Sequence, residues 1–137
     1  MGGQPAAART WAQQAYTTNP TVQHTAQYAA RLLDMGEAQA ALALIDEDTT
    51  APALVILRLR ALQHIGPPAG FKSMVRHVDH HFRHDIAHGE FLHAREMLWF
   101  YLDVLPNHRL AKRLAAENWQ QQKEIEDRML LARVEQL

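Results

Sequence analysis

The chain is predicted to be all-α, built of stacked antiparallel helix hairpins. Three observations carry this expectation. No stretch alternates polar and apolar residues over the length of a strand, and no Asn-Gly or Asp-Gly hairpin turn occurs. Alanine, leucine, glutamine, glutamate and arginine dominate, and all are good helix formers. The helix breakers are few, and the segments between them run about 10–18 residues, which suits helices joined by short turns.

In order, the breaks delimit helices over 5–17, 20–34, 37–47, 51–65, 70–87, 90–104, 107–121 and 124–136. Asn19-Pro20 reads as a cap followed by proline in the first turn. Gly36 interrupts one helical run, and Thr49-Thr50-Ala51-Pro52 starts another. Gly66-Pro67-Pro68-Ala69-Gly70 is a firm break, and Gly89 and Pro106-Asn107 are two more. Over 70–87, Phe71, Met74, Val75, Val78, Phe82 and Ile86 fall on one stripe at 3.6 residues per turn, which marks the core face. The run MLWFYLDVL, 97–105, is apolar almost all round. An aromatic cofactor box at Trp99 and Phe100 is one reading of it, but burial on several sides is the ordinary one. ENWQQQKEIEDR, 117–128, crosses the last break. Glu124 there suits the positive end of a helix, and Trp119 is expected to anchor the turn. The helical pattern of MLLARVEQL has no capping glycine or proline after it, so a piece of a longer chain is expected.

Gly36, Gly70 and Pro106 stand 34 and 36 residues apart, each between two helices. After Gly36 comes EAQAALALI and after Pro106 comes NHRLAKRLA. Both put alanine five residues past the turn residue, Ala41 and Ala111, with Ile45 and Ala115 four further on. A helix–turn–helix period near 34 is the tetratricopeptide period. The chain resembles a degenerate tetratricopeptide repeat protein, best over Val22 to Val55. Tyr28, Ala29 and Leu32 lie on the first helix, Gly36 in the turn, Ala41 and Ile45 on the second helix, and Pro52 near the end. The stretch from His88 to Arg133 also resembles a recurring C-terminal segment of bacterial repeat proteins. It does so through His93-Ala94-Arg95-Glu96, Ala115 to Trp119 and Asp127 to Leu131. The pattern departs at Gln63 and Trp99, where the repeat carries a small residue.

The resemblance implies one domain over 1–137 of about three units, wound as a right-handed superhelix. Residues 1–19 would form a capping helix and 124–136 a terminal one. It also implies a protein–protein interaction scaffold that holds a protein or peptide on a concave surface. The residues it places there are Gln23, Arg60, His64, His93, Glu96, Phe100 and Asp103. The terminal helix is further expected to pair with a second copy or with more of the chain.

Composition narrows the function classes. Fourteen basic residues against fifteen acidic ones give no long-range pull toward nucleic acid. The absence of cysteine excludes disulfides, thiol catalysis and cysteine-bound metals, and it agrees with the expected cytoplasmic location. MGGQPAAART lacks the apolar core of a secretory signal, and no apolar run is long enough to span a membrane. There is no GxSxG elbow and no phosphate-binding glycine loop, so no enzyme activity and no cofactor are expected.

One stretch remains. HVDHHFRHDIAHGEFLH, 77–93, holds six of the nine histidines. His77, His81, His84 and His88 form a stripe more than 90° from the core stripe, with His80 beside it and His93 on the next helix. Imidazoles at i and i+4 can share a metal ion, but a site normally needs a third ligand, and Asp79 and Asp85 are counted onto other faces. A solvated or helix-packed polar face is the ordinary reading. A metal-binding or pH-responsive module is the alternative to the scaffold.

Overall fold

A computed structural model describes residues 4–121 and 125–137. Among these every regular element is helical: α1 (Gln4–Thr18), α2 (Val22–Asp34), α3 (Ala38–Ala43), α4 (Pro52–Ile65), α5 (Phe71–Ala87), α6 (Ala94–Trp99), α7 (His108–Gln121) and α8 (Ile125–Glu135). A π-helical turn over Phe100–Val104 continues α6. Glu124 lies outside the described residues. The chain folds as two compact units divided after Pro68, inside the Gly66–Gly70 break.

In the first unit α1 packs on α2, α2 on α3 and α4, and α3 on α4. Leu32, Ile56, Leu57 and Leu59 fill its centre. The cap of α2 is Thr21 rather than Asn19, with its hydroxyl accepting from His24 N–H at 3.1 Å. Pro20 therefore stays outside the helix. Threonine supplies the same side-chain oxygen that made asparagine a candidate. At the other end, Gly36 takes φ +77°, Glu37 N–H reaches Leu32 C=O at 2.8 Å, and Gly36 N–H reaches Leu33 C=O at 3.0 Å. This paired closure satisfies carbonyls a helix end would leave open, and it needs a residue tolerant of positive φ. The third helix stops at Ala43 instead of 47. Asp46, Glu47 and Asp48 would have placed three negative charges on its negative end.

In the second unit α6 and the π-turn pack on α7, and α7 on α8. Met97, Leu98, Phe100 and Tyr101 are buried, as expected for a run apolar almost all round, and Leu114 of α7 is buried too. From the expected core stripe of α5, Phe71, Val75, Phe82 and Ile86 are buried, and Met74 and Val78 half-buried. Phe82 meets the Phe100 ring edge-on at 5.6 Å. Gly89, at φ +70°, ends α5 by the same paired closure as Gly36, with Glu90 N–H on Asp85 C=O at 2.9 Å. That closure delays α6, which begins at Ala94 instead of 90. The π-turn closes with Leu105 N–H on Phe100 C=O at 2.9 Å, five residues back.

Candidate functional site

The residues read from the two turns are buried alike, although Ile45 lies just past the end of α3, off the helix on which it was expected, while Ala115 is inside α7. Ala41 and Ala111 are both fully buried, and Ile45 and Ala115 are buried four residues on. A side chain ending at Cβ lets the neighbouring helix backbone come close, and nothing larger would fit there without displacement.

The expected groove residues have mixed fates. In the first unit Gln23 is exposed in the first turn of α2 and His64 is exposed near the end of α4. Arg60 is half-buried, with its guanidinium 3.8 Å from the Asp34 carboxylate, which also accepts from Arg31 at 3.1 Å. In the second unit His93 precedes α6 as its cap residue, and Glu96 is half-buried in the first turn. Asp103 is drawn to Arg133 of α8 at 2.8 Å. Phe100 corrects the expectation. It is fully buried between Phe82 and Tyr101 and cannot line a surface. The repeat framework places these residues by matching Pro106 to Gly36, whereas His93 lies before α6 and the winding widens at Phe100.

On α5 the exposed residues include His77, His80, His81, His84 and His88, away from the buried stripe. Here too one expectation is corrected. Asp85 does not face elsewhere: its Oδ2 lies 3.6 Å from His81 Nε2 and its Oδ1 lies 3.8 Å from His84 Nδ1. At 100° per residue Asp85 stands only about 40° round the helix from His81, because a carboxylate four residues past an imidazole is its neighbour on a helix surface. His84 and His88 stack with ring centroids 4.3 Å apart, and His88 Nδ1 lies 2.8 Å from the His84 carbonyl. Asp79 does turn away. It accepts from the Tyr101 hydroxyl at 2.7 Å and from Arg83 at 2.9 Å. Among the described residues no group of three or more His, Asp or Glu could hold a metal ion.

The most enclosed charge lies elsewhere. Asp127 of α8 is buried, with one oxygen 2.7 Å from Arg95 Nε and the other 2.7 Å from Arg95 Nη2. The amide of Asn118, also buried, donates to it at 2.8 Å. One carboxylate thus ties α6, α7 and α8 together through charge-assisted, two-point bonds. The stretches 93–96, 115–119 and 127–131 contribute one member each to this cluster. A signal for Asp127 was present in its spacing: Leu130 and Val134, three and seven residues on, share its buried face.

Among the described residues no helix is long and apolar enough to cross a membrane. Comparison with protein-family models, with curated proteins and with solved structures finds no match to this chain.

Proposed function

We propose that the chain is a tetratricopeptide-like module of stacked hairpins, wound as a right-handed superhelix, that acts as a non-catalytic scaffold for a protein or peptide partner. The observation supporting this is the matched burial of Ala41 with Ile45 and of Ala111 with Ala115, at the same offsets from two turns. A repeated close approach of paired helices is what a solenoid requires. The contact residues are Gln23 and His64 from the first unit, and His93 and Glu96 from the second. These polar groups would select an extended or helical segment by hydrogen bonding.

Affinity capture from the source cells tests this, with three baits of equal fold by circular dichroism. They are wild type, Gln23→Ala/His64→Ala and His93→Ala/Glu96→Ala. A partner held by wild type and then measured by calorimetry should bind each double variant at least about tenfold more weakly, one loss of roughly 1.4 kcal/mol. Equal binding by all three baits would remove these residues from the interface.

A further inference from the structure

We infer that the outward face of α5 is a docking surface for an acidic segment of a partner protein, held more tightly as the pH falls below neutral. The observation that carries this is a segregation of charge. From Lys72 to His88 every exposed ionisable residue is a cation or a histidine. At 100° per residue Lys72, Arg76 and Arg83 fall within about 40° of one another and form one ridge along the helix. His80 stands beside it, and His77, His84 and His88 form a second row about 120° round from the ridge. The two acids of the helix, Asp79 and Asp85, lie on the two borders of this half, with side chains only 23% and 16% exposed. Both are engaged. Asp79 accepts from Tyr101 and Arg83, and Asp85 lies against His81 and His84.

A solvated helix face ordinarily mixes signs, because opposite charges four residues apart attract and like charges repel. Here Lys72 and Arg76, His77 and His81, His80 and His84, and His84 and His88 stand four apart. The stacked His84 and His88 rings, 4.3 Å apart, repel most sharply once both are protonated. This arrangement costs stability in the free chain, and an acidic partner relieves it. From Lys72 to His88 the face runs about 24 Å, roughly seven residues of an extended segment. Imidazoles take up protons as the pH falls through neutrality while carboxylates stay ionised, so the attraction grows. The segments that follow α5 carry Glu90, His93, Glu96, Tyr101 and Asp103. Of these, Tyr101 reaches α5 at Asp79, and Asp103 is drawn to Arg133 of α8. Nucleic acid suits the face less, since it is held by many permanent cations on phosphates, and this face has three in a chain of net charge −1. The face shares no residue with the proposed scaffold contacts, so the two surfaces are tested separately.

The test is fluorescence anisotropy of the untagged chain with a labelled peptide of alternating glutamate and glycine, long enough to cover the face. It is run in low salt at about pH 7.5 and about pH 6, on either side of the ordinary imidazole value. Wild type should bind the peptide and hold it about fivefold or more tightly at the lower pH. Lys72→Gln/Arg76→Gln should weaken binding about fivefold at both pH values. His80→Gln/His84→Gln should leave binding at the higher pH within about twofold of wild type and remove most of the tightening. Arg109→Gln/Lys112→Gln, which removes two exposed cations of α7, should stay within about twofold throughout. All six residues are exposed, and circular dichroism at both pH values checks that each variant folds. The proposal is overturned by no binding at the lower pH, or by unchanged affinity in Lys72→Gln/Arg76→Gln. An unchanged pH dependence in His80→Gln/His84→Gln overturns it too, as does an equal loss in the α7 variant, which would mean attraction to charge in general. Tighter binding of a labelled DNA duplex or of phosphatidylserine vesicles than of the peptide would give the face a different occupant and overturn it as well.

Discussion

The hydroxyl of Tyr101 donates to Asp79 Oδ1 at 2.7 Å, and the same oxygen accepts from Arg83 Nε at 2.9 Å. The bond fastens α5 to the π-turn through two residues 22 apart in sequence. Burial pushes the Tyr101 hydroxyl above the ordinary tyrosine value. The bond to Asp79 and the charge of that carboxylate push it further, while Arg83 pulls weakly the other way.

A raised folded-state value means that the native protein holds this proton after the unfolded chain has released it. The stabilisation is therefore complete below about pH 10 and is lost as pH rises from there toward the folded value. Urea unfolding between neutral pH and pH 11 should show stability falling at the alkaline end. Tyr101→Phe should flatten that fall and cost about 1–2 kcal/mol at neutral pH, with Asp79 keeping Arg83 as a donor. An unchanged alkaline slope in Tyr101→Phe would count against the bond.

Asp127→Ala should be the most damaging single polar change in the second unit. It removes the buried carboxylate that pairs with the half-buried Arg95 guanidinium and accepts from Asn118, a loss of about 3–5 kcal/mol. The triple change Arg95→Met/Asn118→Leu/Asp127→Leu should recover most of it, because an apolar cluster of similar volume has no charge to desolvate. By contrast, Asp103→Ala removes an ion pair whose Arg133 side chain is 48% exposed, and about 0.5–1 kcal/mol is expected. Denaturant midpoints at matched m-values rank the three.

Gly36→Ala should destabilise the first unit by about 1–2 kcal/mol, the cost of left-handed backbone for an L side chain. A Cβ there meets nothing within 4 Å, so the whole penalty is conformational. Gly36→Asn, which tolerates this region, should cost less. Equal losses for alanine and asparagine would contradict the closure.

Ala41→Leu and Ala111→Leu should each cost about 1–3 kcal/mol by overpacking. Ala40→Leu and Lys112→Leu, one residue away and exposed, should stay within about 0.5 kcal/mol. If one alanine tolerates leucine and the other does not, the two hairpins do not share a packing geometry.

The helix order was readable because glycine and proline act where they stand. Gly36, Pro52, the 66–70 break, Gly89 and Pro106 all end or start helices near the residue named. The errors at Phe100 and Asp127 share another cause, since each depends on contacts beyond the local chain or on a departure from regular winding. The repeat framework, matching Pro106 to Gly36, puts Phe100 on a surface, and the π-turn that buries it is not visible in composition. Asp85 is about 40° round the helix from His81, so a correct count of the faces already puts it beside the histidine stripe. Asp127 looked like one acid in a solvated run. Only its register with Leu130 and Val134 separated it from Glu135, which is exposed.

The Asp127 cluster also sets an order of assembly. Arg95 precedes its acceptor by 32 residues and Asn118 by 9. A chain emerging from the ribosome therefore presents the guanidinium and the amide before the carboxylate that accepts from both. Until α8 arrives the two-point pairing of Arg95 with Asp127 cannot form, so α8 completes the cluster last. A cut between Asn118 and Asp127 would part Arg95 and Asn118 from the carboxylate they share.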